Sequence, residues 1–490
     1  MTTEITNASA VTLAGLIKSR AVSCREVMVA FLRQIELCNP HLNAIVSMRD
    51  AEILLDEADE KDRQLSMGNY SGLLHGFPQA PKDTSAVHGM ASTYGSPLLK
   101  DCIPAEDAIF VGRMRSAGAI FVGRTNAPEF GLGGQTYNSV FGTTFNAYDP
   151  TKTAGGSSGG AAVALASRML PVADGSDMMG SLRTPAAFNN VFGFRPSRGV
   201  IPFGAAPELY FQQLIVDGAM ARNIPDLAVL LQVMAGHDAR APLSLHTDPH
   251  AYASKLERDF KGTRIGWIRD WDGYFPVERD VLETCDKSMR IFESLGCIVE
   301  TVGRDELQFD PARLWSSILV LRNFLIAGML GAHYSDPESR QRLKPEAIWE
   351  IEHGLALSGS DVYRASLDRS EWYTRLLKIF TRFDYLILPG ALTFPFAASL
   401  HWPREVAGRS MDTYHRWIEL TIPATLAGLP AMSVPVGFND EGLPMGIQIL
   451  GPVEKDFSVM QLAHQFDIAT GYSRKCPSLS GAVDRGVAGS

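Results

Sequence analysis

The sequence of 490 residues predicts a single α/β domain built on a large sheet of mixed strand direction. Two observations favour this fold class. A helical pattern that stops at a glycine and leads into a short apolar strand occurs twice, as in the alternating units of an α/β sheet. Near the C-terminus two apolar strands flank a glycine turn, which predicts an antiparallel pair and therefore a sheet that is not purely parallel.

The N-terminal region predicts two helices. Ser23 and Glu26 have the spacing of a capping box, and apolar residues follow at helical spacing as far as Ile35. We expect Asn39 and Pro40 to close this helix, because the residue before a proline is disfavoured in helical conformation. A short strand over residues 44–46 and a second helix over residues 51–61 follow.

The two helix-then-strand units lie in different halves of the chain. In the first, a helix over residues 109–115 ends at Gly118 before a strand over residues 119–122. In the second, a helix over residues 281–292 ends at Gly296 before a strand over residues 297–301. Further strands are predicted over residues 265–268, 385–388, 432–436 and 447–450, the last two joined by a turn at residues 439–442.

Residues 313–369 differ in character from the rest, because they are mostly helical in pattern. They form either a substrate-shaping region within the domain or a peripheral helical layer, and the sequence leaves both open. The apolar stretch over residues 318–330 is interrupted by Arg322 and Asn323 and is too short to span a bilayer. We therefore expect a buried helix there.

The composition argues against several classes of partner. With 46% hydrophobic and 20% charged residues, the chain lies in the range of soluble globular proteins. Its formal net charge is -9 and its isoelectric point is near 5.7, without a cluster of Lys and Arg. Nucleic acids and anionic membranes attract a concentrated basic surface, so we expect neither as a partner.

The cysteines predict no metal site and no disulfide framework, because their spacing fits neither. We expect reduced, mostly buried thiols and a cytoplasmic compartment. Glu4 before the mildly apolar N-terminal stretch and Lys18 after it have the wrong polarity for a secretory signal. The six cysteines are Cys24, Cys38, Cys102, Cys285, Cys297 and Cys476.

Three short segments carry residues suited to catalysis. Gly155 to Gly160 reads GGSSGG, which by itself is typical of a linker or turn, and it lacks the lysine of a phosphate-binding loop. Ser181 follows a turn and precedes a small-residue helix, so backbone N–H groups there could form an oxyanion hole. Lys82 lies among apolar and proline residues and is a candidate for burial, although most such lysines reach solvent.

The combination of these segments resembles the amidase signature family. Lys82-Asp83, the GGSSGG core and the D-x-x-G-S-x-R segment from Asp177 to Arg183 carry the resemblance. It extends to residues 123–126, 192–196 and 429–435, and it is weakest between about 305 and 380. The resemblance implies the amidase signature fold, a large, mixed and twisted β-sheet flanked by helices on both faces.

The resemblance also implies a Ser-cisSer-Lys triad. Carried over to this chain, Ser181 is the nucleophile, Ser157 the bridging serine after a cis peptide, and Lys82 the base. The backbone N–H groups of Met178, Met179, Gly180 and Ser181 then form the oxyanion hole. Lys82 must be neutral to accept a proton, so its pKa must lie below the ordinary value of about 10.4, which desolvation in an apolar pocket would achieve.

Several neighbours are expected to support this site. Ser158 is expected to hydrogen-bond Lys82 or the turn, and Asp177 and Arg183 to pair and hold the nucleophile turn, rather than Arg183 contacting a substrate carboxylate. Met179 replaces the glycine or small residue usual in the family, and we expect it to narrow the acyl side of the pocket, with core packing as the alternative. Tyr137 and Asn138 are candidates for the substrate pocket, with surface or core placement equally open.

The sequence therefore predicts an amidase that hydrolyses a small apolar or aryl amide to a carboxylate and an amine through a Ser181 acyl-enzyme. Esters and carbamates share this acyl chemistry. No metal or cofactor is expected, the substrate is the main partner, and homodimerisation is an expectation of the family alone. Two alternatives stay open: the glutaminase subunit of a tRNA-dependent amidotransferase, and an inactive binding protein that keeps the fold.

Overall fold

A computed structural model describes residues 2–204 and 206–478 of the chain. In chain order, the helices are α1 Thr2–Asn7, α2 Ala10–Lys18, α3 Cys24–Leu42, α4 Ala51–Ser66, α5 Ile109–Ser116, α6 Gly159–Ala166, α7 Arg183–Phe188, α8 Ile224–Met234, α9 Arg279–Ser294, α10 Arg304–Leu307, α11 Pro311–Ser335, α12 Pro337–Arg340, α13 Pro345–Leu355, α14 Gly359–Ile379, α15 Ile422–Ala427 and α16 Asp456–Thr470. The strands are β1 Ile45–Val46, β2 Pro78–Gln79, β3 Ile120–Phe121, β4 Arg124–Thr125, β5 Tyr137–Asn138, β6 Gly142–Thr143, β7 Ala173–Asp177, β8 Phe192–Arg195, β9 Val216–Ala221, β10 Arg264–Trp267, β11 Ile298–Thr301, β12 Tyr385–Pro389, β13 Glu405–Val406, β14 Arg409–Ser410, β15 Ala431–Phe438 and β16 Pro444–Leu450.

Eight strands form one sheet in the order β11-β10-β12-β16-β15-β8-β9-β7. The pairs β10 with β11 and β10 with β12 are parallel, and the other pairs are antiparallel. Helix α7 packs against β8, β15 and β16, while α9 and α16 pack against β15 and β16. The predicted mixed α/β sheet flanked by helices is confirmed.

The C-terminal hairpin is the centre of this sheet. β15 and β16 are almost wholly buried and pair antiparallel along their length. The turn between them closes at Asn439, whose N–H donates to the carbonyl of Leu443 at 3.0 Å, and Gly442 has a φ of 80°. The sequence predicts this glycine turn, and the positive φ explains why glycine occupies it.

The N-terminal helix α3 has the predicted capping box between Ser23 and Glu26 but does not end where the proline predicted. Pro40 lies inside the last turn, and the helix continues to Leu42 before Asn43 in a left-handed conformation. The Asn39 side chain accepts hydrogen bonds from the N–H groups of residues 44 and 45. A proline so close to the end removes a single helical hydrogen bond, and these caps satisfy the terminus.

Two other boundaries also differ from the sequence prediction. Helix α4 continues five residues past the expected end at 61, because Leu65 extends the buried face formed by Leu54 and Ala58. The strand predicted over residues 119–122 is present as β3, but it pairs in parallel with β2 and not with the large sheet. Strand β2 of this small pair ends shortly before Lys82, so the pair helps to place that lysine.

The segment over residues 313–369 is helical, as predicted, and consists of α11, α12, α13 and most of α14. Helix α11 has 25 residues and therefore extends beyond the apolar stretch over residues 318–330, for which the expectation of insufficient length was made. It is, by length and composition, the one described helix that could cross a membrane, a test that core helices of soluble proteins also pass. Half of the most apolar 18-residue stretch of this helix is buried within the described structure.

Candidate active site

The backbone around Lys82 is fixed on both sides by neighbouring segments. The N–H of Asp83 donates to the carbonyl of Thr125 at 3.0 Å, which continues the parallel alignment started by β2 and β3. The N–H of Lys82 donates to Oδ2 of Asp174 at 3.1 Å. The buried Arg124 guanidinium donates to the Lys82 carbonyl at 2.7 Å. Lys82 therefore enters the site from a rigid backbone.

The Lys82 ammonium group lies among three serine hydroxyls. Its Nζ donates to Oγ of Ser157 at 2.7 Å and to Oγ of Ser158 and Ser176 at 3.0 Å each. The side chain has no exposed surface. Burial lowers the pKa of Lys82 to about 7, and the charges of nearby aspartates oppose only part of this shift. A lysine in this setting is available as a base near neutral pH.

The glycines of the GGSSGG loop allow it to lie directly against other backbone. A Cβ at Gly156 would come within 2.9 Å of the Gln135 backbone, and one at Gly160 within 2.4 Å of the Asn126 nitrogen. The peptide bond between Gly156 and Ser157 is cis. The loop thus places Ser157 beside Lys82 and begins helix α6 directly afterwards.

The nucleophile turn follows β7 and is held by the Asp177 carboxylate. Oδ1 of Asp177 accepts from the N–H of Gly180 at 2.9 Å, and Oδ2 accepts from the N–H of Leu182 at 3.2 Å. Ser181 lies between these two residues, and its carbonyl accepts from the N–H of Ser158 at 3.0 Å. The two serine segments are therefore joined directly by backbone.

Exposure increases from the base toward the nucleophile. Lys82 is 0% exposed, Ser157 2% and Ser181 8%. Ser181 is therefore the most accessible of the three predicted triad residues, and Lys82 is the most buried. Within the described residues the Ser181 hydroxyl makes no hydrogen bond, so the contact between Ser157 and Ser181 stays a prediction.

The predicted oxyanion hole needs one correction. The N–H of Gly180 is directed at Asp177 and is not free to bind an oxyanion. The N–H groups of Met178, Met179 and Ser181 donate to no acceptor in the described part of the chain. Three of the four predicted donors are therefore available, and the fourth instead stabilises the turn that presents them.

Asp177 and Arg183 form the predicted structural pair. Arg183 donates to both carboxylate oxygens of Asp177, with Nε at 3.0 Å and Nη2 at 2.9 Å, and both side chains are fully buried. Arg195 adds a second cation at 3.5 Å. Burial by itself would raise the pKa of Asp177, but the two guanidinium groups hold it well below its ordinary value. Because Arg183 has no exposed surface, it contacts the turn and not a substrate.

Met179 does not take the position expected for a pocket-narrowing residue. It is 1% exposed, whereas Met178 is 7% exposed. Both sulfurs lie near Nη1 of Arg322, at 3.1 Å for Met178 and 3.7 Å for Met179. Met179 therefore packs in the core, which was the alternative expectation for it. Met178 is the methionine nearer the accessible surface.

Arg322 is fixed by a buried ion pair from the helical segment. Its Nε and Nη2 donate to the Glu350 carboxylate at 2.8–3.0 Å, and Nη2 donates to the Tyr414 hydroxyl at 3.0 Å. Glu350 is on α13 and Arg322 on α11. Both helices therefore brace the loop that carries Met178.

The two predicted pocket residues Tyr137 and Asn138 have different roles. The Asn138 amide is occupied by its own loop: Nδ2 donates to Asn126 Oδ1 at 2.7 Å, and Oδ1 accepts from the N–H of Phe141 at 2.7 Å. Asn138 is thus a structural residue, because no polar atom of its side chain is free to face a substrate. The half-buried Tyr137 stacks on His401 at 4.3 Å between ring centroids and stays a candidate.

Sequence reasoning missed several residues around the lysine. Ser176 binds Lys82 directly, and Asp174 lies two residues before it on β7. The alternation of side chains along a strand could have placed both on one face. The signal for Arg322 was its position within an apolar stretch expected to be a buried helix, where a charged side chain needs a partner. Glu350 had no such signal, since only the packing of α11 against α13 brings it to Arg322.

The mixed α/β sheet and the buried lysine among its serines, together with the family and the relatives that match this chain, define an enzyme that hydrolyses amide C–N bonds other than peptide bonds. The family model "Amidase" matches residues 26–460. The chain belongs to the amidase signature family.

Individual relatives match along nearly the whole chain. An acylamidase from Rhodococcus erythropolis is 32% identical over 96% of this chain and 97% of its own length. One subunit of the Glutamyl-tRNA(Gln) amidotransferase from Cyanothece sp. is 32% identical over 94% of this chain and 98% of its own. The crystal structure of a bacterial aryl acylamidase of the amidase signature family superposes with a TM-score of 0.89 at 29% identity, covering 95% of this chain and 97% of the other.

Proposed function

We propose that this amidase hydrolyses a small, apolar or aryl carboxylic amide through an acyl-enzyme on Ser181. The observation that carries the proposal is the fully buried Lys82, whose Nζ donates to three serine hydroxyls and whose pKa lies at about 7. A base with a pKa near the working pH is suited to proton transfer. The relay runs from Ser181 through Ser157 to Lys82.

In the first half of the reaction the enzyme forms an ester with the acyl group. Neutral Lys82 takes the hydroxyl proton of Ser157 as Ser157 takes that of Ser181, and Ser181 Oγ attacks the amide carbonyl carbon. The carbonyl oxygen becomes an oxyanion, which the free N–H groups of Met178, Met179 and Ser181 stabilise. The C–N bond then breaks, and the departing nitrogen receives a proton through Ser157.

In the second half a water molecule hydrolyses the ester. The same relay takes a proton from water, and the resulting hydroxide attacks the acyl carbon. The bond to Ser181 Oγ breaks, the serine regains its proton, and a carboxylate leaves. Esters and carbamates have the same reacting carbonyl, so the proposal includes them as possible second substrates.

The helical segment over residues 313–369 is proposed to shape the substrate site. A Cβ at Gly131 would lie 3.7 Å from Ser157 Oγ, so the loop before Leu132 passes beside the bridging serine. Lys344 donates from Nζ to the Leu132 carbonyl, and its N–H donates to Glu129 at 3.1 Å. The segment therefore braces this loop on one side of the relay, as Arg322 braces the Met178 loop on the other.

The proposed preference for an apolar substrate rests on apolar side chains near the relay and on the names of the relatives. Leu132 packs in an apolar cluster with residues of α11 and α13, and the Met178 thioether is the more exposed side chain of the oxyanion loop. Relatives named acylamidase and aryl acylamidase match over nearly the whole chain. These observations support a substrate with an apolar acyl or aryl group.

A second candidate is the glutaminase subunit of a tRNA-dependent amidotransferase. It is favoured by the similarity to one subunit of such an enzyme over 94% of this chain. A protein of this kind would act on glutamine and pass ammonia to a partner chain.

Activity of the purified single chain separates the two candidates. Release of amine is measured for anilides, aliphatic and cyclic amides, esters, carbamates and glutamine, with Ser181→Ala as the background control. We expect anilides or small apolar amides to be hydrolysed without a partner chain, and EDTA to leave the rate unchanged. If glutamine were the one substrate hydrolysed, or if hydrolysis required a partner chain, the result would favour the amidotransferase subunit and contradict the proposal.

A further inference from the structure

One face at the edge of the large sheet carries acidic side chains that the relay does not use. Strands β7 and β9 pair antiparallel, with Ser176 directly opposite Asp217. Side chains alternate along a strand, so Asp174 and Ser176 share a face of β7, and Asp217 extends from the same face of β9. Because Ser176 Oγ accepts from Lys82 Nζ at 3.0 Å, this is the face toward the lysine.

Asp174 is held against the lysine backbone. Its side chain is fully buried, and Oδ2 accepts from the N–H of Lys82 at 3.1 Å. Its other oxygen, Oδ1, is buried and has no hydrogen-bond partner in the described residues. Burial raises the pKa of Asp174 to about 6. One negative charge thus lies beside Lys82 at neutral pH.

Asp217 differs from Asp174 because the residue is less buried and its carboxylate makes no hydrogen bond within the described part of the chain. Desolvation, followed by the charge of Asp174, raises the pKa of Asp217 to about 7. Lys82 also has a pKa of about 7. When two interacting groups such as Asp217 and Lys82 titrate in the same pH range, the protonation of each group depends on the charge of the other.

Three carboxylates oppose the loss of the proton from Lys82, of which Asp174 has the largest effect, followed by Asp217 and Asp177. Arg124 favours the ionised form of Asp174, which therefore loses its proton before Asp217. Tyr94 lies close enough to Asp217 to be influenced by its charge. Asp177 acts on Lys82 from the nucleophile turn, but two buried arginines keep it ionised throughout. Among these carboxyls, Asp217 is the one whose pKa, like that of Lys82, is about 7.

We propose that Asp217 is a positioning residue whose charge sets the pH range over which Lys82 is a neutral base. An ionised Asp217 retains the proton on Lys82, whereas a protonated Asp217 favours the neutral amine. Asp217 as a residue is less buried than Lys82, which has no exposed surface. The inference rests on the proposed function, since it assumes that Lys82 is the base for Ser181.

The test measures the reactivity of Ser181 without needing the substrate. A fluorophosphonate probe reacts with an activated serine, and its rate of labelling is followed from about pH 5 to pH 9 in the wild type and in variants of the full chain. For Asp217→Asn and Asp217→Ser we expect the acid limb of the labelling-rate profile to move to lower pH by about one unit, because a negative charge that retains the proton on Lys82 is removed. Asp217→Glu restores the charge and should restore the wild-type limb.

The matched control is Asp456→Asn. Asp456 is buried and its pKa is likewise raised, to about 6, but its carboxylate binds Ser197, away from the relay. An acid limb that stays in place in folded Asp217→Asn and Asp217→Ser, or that moves equally in Asp456→Asn, overturns the inference. If the probe does not label Ser181 in the wild-type protein, the proposed function is overturned and this inference with it. If the probe labels Ser181 but the acid limb does not respond to the Asp217 substitutions, the inference alone is overturned.

Discussion

Nη1 of Arg322 lies 3.1 Å from the sulfur of Met178, which joins helix α11 to the loop of the proposed oxyanion hole. A thioether is a weak acceptor, so this contact contributes little by itself. The contact matters because it positions the Met178 loop against a fixed group: the other guanidinium nitrogens of Arg322 are bound to Glu350 and Tyr414. The helical segment therefore holds the loop through a rigid cation.

Replacing this cation should destabilise the protein strongly. Arg322→Leu leaves Glu350 buried without its partner, and we expect the free energy of unfolding to fall by about 3–5 kcal/mol. The control is Arg313→Leu on the same helix, whose ion pairs are partly exposed, with an expected loss of at most about 1 kcal/mol. Denaturant unfolding measures both, and equal losses would show that the buried pair has no special role.

Ser181→Ala should abolish amide hydrolysis while leaving the fold intact. We expect kcat to fall to less than about a thousandth of the wild-type value, because the nucleophile is removed. Ser176→Ala is the matched control: it removes one acceptor from Lys82 and should lower kcat by about tenfold or less. Residual hydrolysis by Ser181→Ala above that level would contradict its assignment as the nucleophile.

Activity should depend on the neutral form of Lys82. Since its pKa lies at about 7, kcat/KM should rise with pH through that value and level off above it. Lys82→Ala should lose activity near neutral pH and should not show this rise. A pH profile unchanged by the substitution would exclude Lys82 as the base.

The same lysine should make stability depend on pH. Unfolded lysine binds its proton below about 10.5 and folded Lys82 only below about 7, so unfolding takes up a proton between these values. Wild-type stability should therefore rise by about 1.4 kcal/mol per pH unit in this window, relative to Lys82→Met. Unfolding both proteins at about pH 7 and about pH 9 checks this, and a constant difference would mean that Lys82 is charged when folded.

Asp177 should be essential for folding of the nucleophile turn. Asp177→Asn leaves Arg183 and Arg195 buried with one neutral partner, and we expect a loss of about 3–5 kcal/mol in the free energy of unfolding. Asp59→Asn serves as the control, because its ion pair with Arg25 is largely exposed and contributes at most about 1 kcal/mol. Comparable thermal stability of the two variants would contradict the structural role.

Much of the fold could be predicted from the sequence because it is locally encoded. The capping box of α3, the glycine turn between β15 and β16 and the strand alternation all depend on neighbouring residues. The end of α3 could not be predicted in this way, because the Asn39 side chain and the left-handed Asn43 cap it beyond the proline. The partner of β3 was also missed, since pairing depends on segments distant in the chain.

The sequence by itself determined the family, the mixed α/β sheet and the three residues proposed for the relay, because these depend on motifs and local periodicity. Only the tertiary structure decided which hydrogen bonds those residues make. It directs the Gly180 N–H to Asp177, buries Met179, and places Ser176 at Lys82. Spacing along a chain does not specify which atoms meet across it, and burial and charge at the lysine arise only when separate segments pack together.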